Sequence, residues 1–172
     1  LDLGCGPADI PIRLARSCPG FNIVGVDASA PMLTLAQEAI HEANYSERIW
    51  VVCERIQDVV LEERADAIIS NSLVHHVPNP FQFWHAIKQL AKPGAPVLVM
   101  DLRRPESTEE AQALVDHHAS GESRQLRLDF YNSLLAAFSE DEVAAHLAEM
   151  NFSRLLIDVP DDRHWIVAGY VY

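Results

Sequence analysis

At 172 residues, 49% hydrophobic and with mean hydropathy near zero, the chain has the composition expected of a soluble globular protein with one substantial core. No apolar run approaches the ~20 residues needed to span a bilayer. Thirteen Lys and Arg against 25 Asp and Glu give a formal charge of −12, which repels phosphate backbones and argues against nucleic acid as a partner.

The first predicted element is the end of a buried strand, Leu1-Asp2-Leu3, running into Gly4-Cys5-Gly6-Pro7-Ala8-Asp9. Gly4 and Gly6 permit a tight turn and let backbone approach a ligand without a Cβ in the way. A helix over residues 10–17 follows, and a second strand over residues 21–26 delivers Asp27 beside the glycine loop. A carboxylate there can accept hydrogen bonds from two neighbouring ribose hydroxyls, which suits a nucleoside-containing cofactor. Ser29 is placed to N-cap a helix over residues 31–44, with Met32, Leu35, Ala36, Ala39 and Ile40 on one face. Strands are predicted at Ile49–Cys53, Ile68–Asn71 and residues 97–101, with a helix over residues 80–91 stopped by Lys92-Pro93-Gly94. Residues 106–120 read as a helix, and residues 123–138 carry no clear pattern. Ser139 and Glu142 have capping-box spacing at the start of a helix reaching Met150. Residues 154–159 and 164–172 read as strands joined by Pro160-Asp161-Asp162-Arg163, too short for anything but an antiparallel hairpin.

Strands alternating with helices and closing in a hairpin predict a three-layer α/β/α sandwich. Its sheet is seven-stranded and mostly parallel, with an antiparallel terminal strand. Residues 1–172 read as one domain. The chain starts inside a strand and without Met, so a further N-terminal segment is expected to precede Leu1. Cys5, Cys18 and Cys53 are scattered without metal-ligand spacing and point to a reducing, cytoplasmic setting. Asp116-His117-His118 does not suggest a metal site either, since neighbouring side chains on a helix diverge by about 100°. A solvated helix face accounts for them.

A dinucleotide loop would carry a third glycine where this chain has Asp9, and a carboxylate at a helix start opposes a pyrophosphate. Asp2 and Asp9 instead make an acidic mouth suited to a cationic ligand. Acid-x-Gly-x-Gly at the first strand, with the small Ala8 two positions on and Asp27 closing the second strand, resembles motif I of the class I S-adenosylmethionine-dependent methyltransferases. The segment Ser70-Asn71-Ser72-Leu73-Val74-His75-His76-Val77-Pro78 is similar to the stretch after the fourth strand of many small-molecule members, and the terminal hairpin matches that family's sheet.

The resemblance implies S-adenosylmethionine as cofactor, with S-adenosylhomocysteine as product. It places Asp2, Gly4, Cys5, Gly6, Asp27, Ala28, Met32, Ile56, Asn71 and Leu73 against it. It further implies in-line methyl transfer to a small-molecule acceptor, with His76 or His75 as base if the acceptor is a hydroxyl. The same His pair could instead cap a turn and pack on Trp84. Arg103 and Tyr131 are candidate acceptor contacts. Asp101 and Arg103 either select substrate or tie down the next helix. One position departs from the family. Glu54-Arg55-Ile56 lies over the usual Gly-Asp-Ala, so Arg55 stands where an aspartate meets the adenine amino group. A guanidinium cannot accept that hydrogen bond, leaving Asp58 or the backbone near Ile56 to do so. Two other readings are a non-catalytic methyltransferase-like binding domain and an NAD-dependent oxidoreductase. Neither the acceptor nor the oligomeric state is encoded legibly.

Overall fold

The computed structural model describes all 172 residues. A seven-stranded sheet forms the middle layer, built from β1 (Asp2–Leu3), β2 (Ile23–Asp27), β3 (Ile49–Cys53), β4 (Ile68–Asn71), β5 (Pro96–Leu102), β6 (Leu155–Asp158) and β7 (His164–Tyr170). The strand order is β3-β2-β1-β4-β5-β7-β6. All pairings among β1 to β5 are parallel, and β7 runs antiparallel to both β5 and β6. The expected sheet and closing hairpin are therefore present, with β7 inserted between β5 and the edge strand β6. The order reverses on either side of β1, so the loops leaving β1 and β4 diverge and open a crevice at their carboxyl ends.

Six helices flank the sheet: α1 (Asp9–Ser17), α2 (Ala30–Glu42), α3 (Pro80–Leu90), α4 (Thr108–His118), α5 (Arg124–Ala136) and α6 (Glu140–Glu149). On one face, Leu3, Val26, Ile68, Val99 and Val167 pack beneath Phe83, Trp84 and Ile87 of α3 and Val143 and Leu147 of α6. On the other, Ile23 and Ile49 meet Ala15 of α1 and Leu33, Ala36 and Ile40 of α2. A third cluster around Leu134 joins α4 and α5 to Leu102.

Local chemistry sets most boundaries. Ser29, Ser107, Ser123 and Ser139 each accept a backbone N–H from the first turn of α2, α4, α5 and α6. At Ser139 the reciprocal bond from its N–H to Glu142 completes the capping box. Arg48 closes the far end of α1, donating to the carbonyls of Ala15, Cys18 and Phe21 at 2.8–3.1 Å. That use of the Phe21 carbonyl keeps residues 21 and 22 out of β2, which starts two residues later than predicted. Residues 123–138, without a clear pattern in the sequence, hold the helix α5. Leu126, Leu128 and Phe130 alternate like a strand, yet Leu126 and Leu128 face solvent, and it is Leu134 that is buried. No helix is long and apolar enough to cross a membrane.

Candidate functional site

The crevice at the switch point is a cavity of about 950 Å³. Its walls come from the β1–α1 loop, the end of β2 and start of α2, residues 54–57 after β3, and the turn after β4.

The β1–α1 loop doubles back tightly. Gly4 and Cys5 both donate to the Val26 carbonyl, at 2.8 and 3.0 Å. Gly4 needs its freedom twice over. Its φ is +76°, and a Cβ there would lie 2.9 Å from Cβ of Leu73. Ala8 also takes the left-handed conformation, at φ 67°, and is fully buried where α1 begins. Only a small side chain fits that position. Asp9 is then the first helical residue, exposed, complementing the positive end of α1 rather than lining the crevice.

Asp27 is held by two backbone donors. Its Oδ2 accepts the Gly6 N–H at 2.9 Å and its Oδ1 the Ser29 N–H at 2.8 Å. Each oxygen keeps a free lone pair. The carboxylate is thus aimed by two backbone groups before any ligand arrives, and it can still accept two more hydrogen bonds.

Of the other predicted cofactor residues, Gly4, Gly6, Ala28, Met32, Ile56 and Leu73 also line the cavity. Three do not. Asp2 is 1% exposed beneath the loop, so the acidic mouth expected from Asp2 and Asp9 does not form. Neither Asp2 oxygen has a donor, and burial pushes its pKa up to about 7. Cys5 turns away into the strand layer, where a Cβ on Gly25 would come within 2.7 Å of its Sγ. Burial, with Asp2 and Asp27 nearby, pushes that thiol up to about 12, which makes it inert at neutral pH. Asn71 is exposed and donates to Ser72 Oγ at 3.2 Å. The left-handed Ser72, at φ 56°, reverses the chain there and puts Ser72 and Leu73 on the wall instead.

The His pair is split by a 3₁₀ turn over Val74–His76. His76 lines the cavity. His75 points back into the fold and donates from Nδ1 to Asp101 Oδ1 at 2.5 Å. Burial, then the neighbouring His75, lowers the His76 pKa, so its ring is neutral at pH 7 with a lone pair to offer. Trp84 packs with Phe83 and Phe152, not with the histidines.

Neither predicted acceptor contact lies on the cavity wall. Arg103 pairs with Glu140 of α6 at 3.4 Å, and its N–H donates to the Arg163 carbonyl just before β7, so it ties the end of β5 to those two elements. Tyr131 packs into the α4–α5 cluster. At the end of the cavity beside β3, Glu54, Arg55, Ile56 and Gln57 all contribute to the wall, whereas Asp58 does not. Glu54 escaped the sequence reading because the alignment over Gly-Asp-Ala set Arg55 on the acidic position. The structure offers an acid one residue earlier, directly after β3.

Residues 1–99 match the profile of a family described as a methyltransferase domain. Demethylmenaquinone methyltransferase of Lactiplantibacillus plantarum is 29% identical over 109 residues, covering 62% of this chain and 46% of that protein. A ubiquinone biosynthesis O-methyltransferase of Alkalilimnicola ehrlichii is 32% identical over 108 residues, covering 60% of this chain and 41% of that protein. The matches thus span less than half the length of these curated relatives. Among solved structures, the plantazolicin methyltransferase BpumL in complex with SAH superposes with a TM-score of 0.77 at 12% identity, over 99% of this chain and 76% of the other. A SAM-dependent methyltransferase from Aquifex aeolicus gives 0.73 at 16% identity, over 99% and 80%. Both likenesses concern the fold.

Proposed function

The chain belongs to the methyltransferase-domain family, in its class I S-adenosylmethionine-dependent form, and from that premise we propose that it transfers a methyl group from S-adenosylmethionine to a small-molecule acceptor. The observation that carries this reading is the pre-aimed Asp27 carboxylate facing a glycine loop with no Cβ in the way. Asp27 would hold the two ribose hydroxyls, and Gly4 and Gly6 would pass close to the methionine portion. Ile56 and Met32 supply apolar walls for the adenine, and Glu54 or Gln57 an acceptor for its amino group. When bound, S-adenosylmethionine supplies a methyl group on a positively charged sulfur, already a good leaving group.

The chain's own contribution is then alignment and exclusion of water. Cavities of roughly 300–1,000 Å³ hold small ligands, and about 950 Å³ leaves space for an acceptor beside the cofactor. His76 stands on the wall with a neutral ring and fits an acceptor that must give up a proton, such as a phenolic hydroxyl. The relative named as a ubiquinone biosynthesis O-methyltransferase supports that acceptor chemistry. In this reading residues 1–172 act as one domain in the cytoplasm. Asp9 at the first turn of α1 weighs against a dinucleotide, and the open cavity beside His76 weighs against a purely non-catalytic domain.

Calorimetric titration with S-adenosylhomocysteine tests the assignment. Asp27→Ala removes two charge-assisted hydrogen bonds of about 1.5–3 kcal/mol each, a loss of 100-fold or more in affinity. An affinity that does not change overturns the ribose assignment.

A further inference from the structure

We infer that Asp101 is a positioning residue which, through His75 and the Val74 amide, fixes the turn that presents the His76 ring to the crevice. The inference rests on the reading of His76 as the acceptor's base.

Asp101 sits at the crevice end of β5, 1% exposed and out of contact with the cavity. Both of its oxygens are occupied. Oδ2 accepts the Val74 N–H at 2.5 Å, and Oδ1 accepts the His75 Nδ1–H at 2.5 Å and the Leu102 N–H at 2.7 Å. One carboxylate therefore ties the first two residues of the three-residue turn to the sheet. Charge-assisted bonds of this length are the strong ones, and in a buried setting they hold geometry closely. Facing a carboxylate, His75 must carry its proton on Nδ1, which fixes its ring plane. The fixed ring then serves as the backing for His76. The two centroids are 4.0 Å apart with the planes tilted by 43°. Val74, fully buried, anchors the other side of the turn in the main core.

The charges around His76 are few. His75 lies on its own turn, Asp101 on β5, Asp27 on β2, and Glu54 and Arg55 line the cavity after β3. From α3 the cavity receives only the neutral Gln82, and Arg127 of α5, the helix packed on the turn, is paired with Asp116. Burial and His75 lower the His76 pKa, while Asp101 and Asp27 oppose them. Removing the His75 ring therefore takes away solvent shielding and a neighbouring charge together, both in the direction that raises the His76 midpoint.

The test uses imidazole nitrogen NMR of the intact chain, with His76→Gln assigning its ring. In the wild type His75 shows a hydrogen-bonded proton on Nδ1 between pH 6 and 8, and His76 titrates below its ordinary 6.5. Asp101→Asn cannot offer acceptors on both oxygens, and the Nδ1 proton signal of His75 is lost. His75→Asn keeps an amide donor for Asp101 while removing the ring, and the His76 midpoint climbs towards 6.5. An Nδ1 signal that survives Asp101→Asn, or a His76 midpoint unmoved by His75→Asn, overturns the inference. If Asp101→Asn does not fold, the His75→Asn titration decides alone. Titration of the wild type with S-adenosylhomocysteine judges the cofactor reading separately, so the two can fail independently.

Discussion

Asp2 makes the fold weaker as pH rises, and the size of that effect follows from its burial. The carboxylate has no hydrogen-bond donor, and desolvation pushes its pKa from 3.8 to about 7, reinforced by Asp27. In the unfolded chain it titrates at its ordinary value. Below about pH 3.8 both states hold the proton and there is no penalty. Above that pH the unfolded state gives up its proton while the folded state keeps it, so stability falls with pH until the folded group also ionises near 7. A gap of about 3 units, at about 1.4 kcal/mol each, sets a ceiling of about 4 kcal/mol on the full penalty. Most of the change, about 2–3 kcal/mol, falls between pH 5 and 8. Asp2→Asn removes the titration and breaks no existing bond. Urea unfolding of both proteins across that range should show the variant gaining on the wild type by this amount as pH rises. A stability difference that stays flat from pH 5 to 8 refutes the reasoning.

Substitutions at three other positions probe the loop and its support. Gly4→Ala forces a Cβ against Leu73 at a positive φ. It should cost about 1–3 kcal/mol in urea unfolding and weaken S-adenosylhomocysteine at least tenfold by calorimetry. At the buried, left-handed Ala8, Ala8→Gly should change the melting temperature little, whereas Ala8→Val should cost more than about 2 kcal/mol; equal effects of the two would remove the steric account. Arg48→Met strips the donors from three carbonyls at the end of α1, and a loss of about 1–3 kcal/mol in chemical denaturation is expected. Hydrogen exchange should quicken in residues 14–18 if that capping role is correct.

What could be read from the sequence was whatever depends on local pattern. Apolar runs bounded by turns located β3 and β4 to the residue, and Ser139 with Glu142 announced α6 because a capping box spans only four residues. Asp27 was legible because the strand that carries it ends beside the glycine loop in any sheet of this kind. The failures are those of direction. The two adjacent histidines leave the turn with their rings side by side, and only the position of Asp101, on another strand, decides that His75 turns inward and His76 faces the cavity. Nothing local says that Ser72 adopts a left-handed conformation, and that one dihedral exchanges Asn71 for Ser72 on the wall. Asp2 looked like part of the mouth because its charge suggested exposure, whereas its place on the central strand buries it. In α5 the two exposed leucines imitate strand alternation, and the helix is specified instead by packing against α4.

The small cluster around Leu134 has a consequence for how such a chain can diversify. It draws on α4, α5 and the end of β5, and shares no residue with the cores on either face of the sheet. The α4–α5 hairpin therefore behaves as a cassette with its own hydrophobic interior, clipped to the scaffold by Leu102 and by the ion pair His118–Asp162. The family match ends at residue 99, just before the cassette starts. Mutations can accumulate in the hairpin, altering what lies over the histidine turn, without disturbing the strands that aim Asp27. The hairpin and the strands that aim Asp27 are thus separately packed parts of one fold.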